Sequence, residues 1–405
     1  MFPTLQSRII KMFVAVVALS LVFSIAAAGP KAYVGNFKDS TVSVIDTATA
    51  AVVATVPVAA GPHGMTITPD GRWLYVSSDG ASIVSVIDTT SDRVQQTIEV
   101  GKSPHGVTLV PGGNILLVAV NGEDKIAFVD TTSRSVVATV GVGKPHTIAV
   151  KPDGKIAYVS SQEPGHSALA IIDLAMRKVI RTIPLDKTPR DLEFGGDGKA
   201  IYFTKAGVNA VEVLDPATDK VVAEIPTGVS PHYVNHFRNT MFGMAIVQGP
   251  GELFLFDPKT NKPVRSIKVG EQPHWLALTS DGNTAFVTNE GSNTVSVIDI
   301  ASGKTVTIAV GNQPRKVAVQ PALADAKVSI ENFAFVPQVV TIKTGESIVW
   351  VNNDGSPHAV AFKDGSPGSD TIFPGKQFNR TFDRPGSYDY YCSIHTYMTG
   401  HIDVR

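Results

Sequence analysis

A strand that ends in aspartate returns through this chain with almost no drift. "TVSVID" reaches Asp46, "IVSVID" Asp88, "KIAFVD" Asp130, "ALAIID" Asp173, "AVEVLD" Asp215, "ELFLFD" Asp257 and "TVSVID" Asp299, in steps of 42, 42, 43, 42, 42 and 42 residues. A period this constant describes one supersecondary unit stacked on copies of itself, because a single unit cannot bury its own apolar face. Each unit reads as four short strands by alternation and turn residues. In the second they are "GMTITPDG", "WLYVSS", "IVSVID" and "RVQQTIEV".

Four strands per unit, joined by Pro-Asp-Gly and similar turns, describe a propeller blade, and seven units a seven-bladed ring. The chain enters the repeat at "KAYVGN", a second strand, and leaves it at "KVAVQP", a first strand. The last strand should therefore complete the first blade, which removes two open sheet edges at once. With "YVGN", "YVSS" and "FVTN" at equivalent places, the units resemble YVTN-type repeats, which implies a seven-bladed β-propeller over residues 30–321.

One column of the repeat is polar. A proline is followed by His63, His105, His146, Arg190, His232, His274 and Arg315, so five of the chain's 10 histidines share one position. In a propeller that position opens the innermost strand, so the column should ring the mouth of the central channel. Three readings stay open: a repeat signature with each imidazole bonded to a neighbouring carbonyl, an anion- or partner-binding ring, or a metal site built from several imidazoles. Blade six lacks the Pro-Asp-Gly turn and carries His236 where other blades have apolar residues. A buried, hydrogen-bonded imidazole is expected there.

Beyond "ALADA" the character changes. Alternating strands with Gly and Asn-Asp turns give a small Greek-key sandwich. Its last strands, "FNRTFDRPGSYDYYC", deliver Cys392, the only cysteine in 405 residues. His395 and Met398 follow it and His358 precedes it. Two imidazoles, a thiolate and a thioether are the donor set of a mononuclear blue-copper centre, whereas Met is a poor zinc ligand. The stretches "G..IVWVNND...H" and "TF..PG.Y.Y.C..H..M.G.I.V" resemble the plastocyanin/amicyanin family of cupredoxins. The resemblance implies a type 1 copper held by His358, Cys392, His395 and Met398, one per chain, in a domain spanning 327–405 after a linker at 322–326. Many members have Asn after the first histidine; Ala359 stands here, which predicts a looser shell around the ligands.

The whole chain is predicted to be all-β, a seven-bladed β-propeller followed by a Greek-key cupredoxin sandwich. Arg8 and Lys11, the apolar run to Ile25 and the small residues Ala26–Ala28 read as an export signal over residues 1–28, cleaved before Gly29. Losing those two positive charges takes the net charge from -1 to about -3, which gives no reason to expect nucleic acid or an anionic membrane as partner. No membrane span is expected after cleavage, and the compartment is periplasmic or extracellular. No nucleophilic triad, phosphate loop or acid pair is visible, so no catalytic residues are assigned.

The expected function is single-electron transfer to or from a periplasmic redox protein, with the propeller as docking scaffold. His395 is the expected electron path, with Tyr397 and Thr399 around it. The amicyanin resemblance supplies a precedent, since methylamine dehydrogenase, a donor to that family, has a subunit resembling a seven-bladed propeller. Two alternatives stand. One is copper storage with an interaction propeller. The other is a copper oxidoreductase with a further metal at the His ring, as the architecture of nitrous oxide reductase suggests. Arg190 and Arg315 cannot ligate a metal, however, and one cysteine cannot bridge a dinuclear copper centre. The ring and the linker should lie at opposite ends of the inner strands, roughly 20 Å apart at the usual rise. A redox-active ring would then need copper from a second chain, most simply in a homodimer.

Overall fold

In a computed structural model of the protein, the described residues are 30–237, 240–321, 326–342, 346–382 and 384–405. The export-signal expectation, residues 1–28, and most of the 322–326 linker lie outside them. Among the described residues the strands form nine four-stranded sheets, and no helix is long and apolar enough to cross a membrane.

The repeated aspartate has a local cause. Asp46 accepts hydrogen bonds from the backbone N–H groups of Ala48 (3.0 Å) and Thr49 (2.8 Å), and Asp130 does the same for Thr132 (3.0 Å) and Ser133 (2.7 Å). Such side-chain acceptors close a turn that the backbone alone would leave unpaired. Four residues after each aspartate the chain passes through the left-handed region, at Ala50, Asp92, Arg134, Arg177, Asp219, Asn261 and Gly303, with φ between 51° and 75°. The turn then feeds the outermost strand of the blade.

Within a blade, the middle strands are covered on both faces by neighbouring blades and read as continuous apolar runs. "ILLVAV" (Ile115–Val120) is buried from its second residue onward. The outermost strand Ser135–Gly141 is mostly exposed. Hydroxyls on second strands bond across the blade interface to the carbonyls of ring residues. Thr204 donates to the His232 carbonyl (2.7 Å), Thr288 to that of Arg315 (2.7 Å), and Ser77 to that of His105.

The first blade is assembled from both ends of the repeat. Pro314–Val319 pairs antiparallel with Lys31–Asn36, matching Ala32 with Val319, Tyr33 with Ala318 and Val34 with Val317. Gln320 clamps the seam, accepting from the Lys31 N–H at 3.2 Å and donating to the Gly71 carbonyl at 2.8 Å.

The C-terminal sandwich packs two sheets over one core. One is ordered Ala334–Val336, Ala326–Glu331, Ser347–Asn352, Gln377–Thr381; the other Val339–Ile342, Thr399–Val404, Gly386–Tyr391, Ala361–Phe362. Trp350, Phe335, Phe382, Tyr390 and Ile402 fill the space between them. The edge-to-face ring contacts of Tyr390 with Phe335 (4.8 Å) and Trp350 (5.4 Å) fix the strand that leads into Cys392.

Candidate metal centre

Cys392 follows the strand Gly386–Tyr391, and the chain returns along Thr399–Val404. The connecting loop is short and closed by its own backbone. The Cys392 N–H donates to the Met398 carbonyl (3.0 Å), and the Met398 N–H to that of His395 (2.9 Å). His358 enters from another segment, held by a reciprocal pair of backbone hydrogen bonds with Ile372 (3.1 and 2.7 Å).

This framework brings His358, Cys392 and His395 together. Cys392 Sγ lies 3.7 Å from His358 Nδ1 and 3.8 Å from His395 Nδ1, and the two Nδ1 atoms are 3.2 Å apart. Two nitrogens and a sulfur bound to one ion at 2.0–2.3 Å in a trigonal plane stand about 3.5–3.8 Å from one another, so the donors already sit at a spacing that fits a metal. His358 and Cys392 are fully buried, and Met398 packs in the same core beside Cys392. Burial holds the His358 imidazole below its ordinary value, against the opposing pull of Asp354. The neutral imidazole is the ligand form.

The surroundings of the donors are well tied. Sγ of Cys392 accepts from the backbone N–H groups of His395 (3.3 Å) and Ala359 (3.4 Å). Nε2 of His358 meets Asp354 Oδ2 at 2.9 Å, and Asp354 is itself held by the N–H groups of Asn332 (2.6 Å) and Phe333 (2.9 Å). The Asn352 carboxamide donates to the carbonyls of Ser356 and Ile372, both at 2.8 Å. Ala359 supplies no side-chain tie here; Asn352 and Asp354, to which sequence reasoning gave no role, tie the His358 side.

One edge reaches the surface. His395 is partly exposed, Phe333 lies edge-on to it at 5.0 Å, and Ile394 and Tyr397 stand out into solvent, Tyr397 at 69% exposure.

Comparison with known proteins agrees with this geometry. Residues 322–405 match the family described as copper binding proteins, plastocyanin/azurin family. Amicyanin of Paracoccus versutus is 41% identical over 98 residues, 22% of this chain and 74% of that protein. The chain belongs, through its C-terminal domain, to the plastocyanin/azurin family. Amicyanin-alpha of Methylorubrum extorquens is 39% identical over 95 residues, covering 22% of this chain and 79% of that protein. This cupredoxin domain is thus homologous to copper electron carriers. Residues 6–114 match a YNCE-like beta-propeller. The solved structure of Kuenenia stuttgartiensis hydrazine synthase superposes with a TM-score of 0.62 at 23% identity, covering 66% of this chain and 92% of that one, a likeness of fold alone.

The polar column of the propeller divides into groups. His63, His105 and His146 converge, with ligand atoms within 4.8 Å of one another. His232 and His274 pair with ring centres 4.2 Å apart, and His274 also stands edge-on to His63 at 6.3 Å. The expected carbonyl bonds exist for His146 Nδ1 to Arg190 (3.0 Å) and His274 Nδ1 to Arg315 (3.1 Å). The two arginines turn aside. Arg190 donates to Ser230 (2.8 Å), while Arg315 donates to Glu290 (3.3 Å) and lies over the Phe37 ring at 3.5 Å. His236 belongs to neither group. It is half-buried and edge-on to Tyr202 at 6.2 Å, rather than enclosed as its column suggested.

The propeller also holds an acid pair that the sequence did not reveal as one. Asp191 and Glu193, on the inner strand of blade five, interact with Lys316 on the inner strand of blade one. Burial pushes Asp191 up to about 7 and, with the Asp191 charge adding to it, Glu193 to about 8. "PRDLEF" is unlike its six counterparts in carrying two acids, which was the available signal.

Proposed function

We propose that this is an exported electron-transfer protein in which His358, Cys392, His395 and Met398 hold one type 1 copper per chain. The propeller serves as the docking scaffold for a redox partner. The observation that carries this reading is the convergence at trigonal spacing of Cys392 and His395, on a loop closed by its own hydrogen bonds, with His358 from another segment. A copper bound there would supply one-electron chemistry.

The residues of the chain make that chemistry inexpensive. Donors fixed before binding need little rearrangement between oxidation states, and the N–H groups of Ala359 and His395 stabilise negative charge on the cysteine sulfur. His395, on the exposed edge, is the path in and out, and the apolar side chains of Phe333, Ile394 and Tyr397 offer a patch from which a partner can displace water. Export rests on the leader-like residues 1–28. The partner is then a small redox protein of the periplasm or cell exterior, and a monomer suffices.

Voltammetry of the copper-loaded full chain tests the reading. A reversible couple that passes one electron per chain is expected. A protein that binds copper at the cupredoxin domain yet shows no reversible one-electron wave contradicts it.

A further inference from the structure

We propose that His63, His105 and His146 form a second metal site, for a divalent first-row ion of the imidazole-preferring kind, Cu(II) or Zn(II), at the mouth of the propeller. It is independent of the copper reading above. The three side chains come from the inner strands of three consecutive blades, at Pro62–Ile67, Pro104–Leu109 and Pro145–Val150. Their ring centres are 4.6 Å (His63–His105), 5.2 Å (His105–His146) and 5.7 Å (His63–His146) apart. Imidazole nitrogens on one tetrahedral ion at 2.0–2.1 Å stand about 3.4 Å from one another, so small side-chain rotations bring the ligand atoms, now within 4.8 Å, onto a common ion.

The outward-facing nitrogens are already fixed in the manner of metal-bound histidines, whose second nitrogen bonds a carboxylate or carbonyl. Nε2 of His105 lies 3.0 Å from Asp79 Oδ1, and Nδ1 of His146 lies 3.0 Å from the Arg190 carbonyl. The remaining Nδ1 of His105 is buried and has no hydrogen-bond partner. A buried polar atom left bare is costly, and a bound cation would satisfy it.

The residue after the histidine helps the first two of these strands close up on their neighbours. In blades two and three it is Gly64 and Gly106. A Cβ at Gly64 would collide with the His105 carbonyl oxygen, and one at Gly106 would stand 2.5 Å from that of His146. Glycine therefore lets these strands close up. At the same position Asp191, Tyr233, Trp275 and Lys316 occupy the other side of the ring. Beside the triad, a cavity of about 10 Å³ touches His63, His146, His232 and His274. That is room for about one water, a suitable fourth ligand.

The test uses the full chain with its cupredoxin copper in place, titrated with Zn(II) by calorimetry and checked by metal content. One zinc per chain beyond the copper is expected. His105→Ala should weaken it by about 100-fold or more and Asp79→Asn by about 10–100-fold, both with the copper colour unchanged, while His236→Ala, outside the ring, leaves zinc affinity intact. Absence of the second equivalent in the wild type, or equal zinc affinity in wild type and His105→Ala, overturns the proposal. Should His105→Ala fail to fold, Cu(II) added to a Cys392→Ser/His358→Ala/His395→Ala chain, which has no cupredoxin imidazole left to bind it, decides. A nitrogen-coordinated tetragonal Cu(II) resonance supports the site, and no such resonance overturns it.

Discussion

Asp354 Oδ2 lies 2.9 Å from Nε2 of His358, the fully buried imidazole of the cupredoxin domain. The carboxylate fixes which nitrogen carries the proton and turns Nδ1 toward Cys392. Asp354→Ala should weaken copper affinity about 10–100-fold and shift the reduction potential, while leaving the domain folded. Competition against a copper chelator measures the first effect. Affinity equal to wild type would show that the ring is oriented by the Ile372 bridge alone.

Ring closure can be tested by truncation. Deletion from residue 324 onward should leave a folded propeller, because the closing strand ends at Val319. Deletion from Pro314 onward exposes the edge of Lys31–Asn36 and uncovers Val34 and Ala32. Its melting temperature should fall by more than about 10 °C, as expected for a loss of several kcal/mol in a domain of this size. Equal melting temperatures would contradict the shared first blade.

Buried Asp191 and half-buried Glu193 make the propeller sensitive to alkali. Asp191 and Glu193 have folded-state values raised above their unfolded ones, so the folded state binds the extra protons. Their contribution is fully present below about pH 4 and is lost as pH rises through about 7 to 8. Asp191→Asn should therefore stabilise the propeller at pH 9, by on the order of 2 kcal/mol, and not at pH 4. Thermal melts at the two pH values check the sign. A larger benefit at pH 4 would contradict it.

Close packing of the sandwich behind the cupredoxin site leaves no room at Gly400, where a Cβ would run into the Tyr390 ring. Gly400→Ala should destabilise the cupredoxin domain by about 1–3 kcal/mol and leave the propeller transition in a calorimetric scan unmoved. A shift of both transitions together would mean that the two parts unfold as one.

Repeats and motifs whose members lie close along the chain were legible in the sequence; contacts made only in space were not. The aspartate at Asp46 and its six counterparts announced the blades because each builds the same turn, with a left-handed residue four places on. The Cys392, His395 and Met398 spacing announced a candidate ligand loop because all three lie on one short segment. Asp354 escaped notice because its role depends on how a turn lays it against His358. The division of the ring into a triad and a pair was hidden for a similar reason. It depends on how closely neighbouring inner strands approach, helped at Gly64 and Gly106 by the missing side chain, a tertiary fact that the shared Pro-His signature conceals. Asp191, Glu193 and Lys316 met only in space, across the channel from different blades.

The account rests most directly on the sulfur of Cys392 binding copper between His358 and His395. Visible absorption of the copper-loaded full chain and of Cys392→Ser measures this. An intense thiolate-to-Cu(II) band in the wild type, absent from a Cys392→Ser protein whose propeller still melts at the wild-type temperature, is the expected result. A colourless wild type carrying a full equivalent of Cu(II) would contradict it.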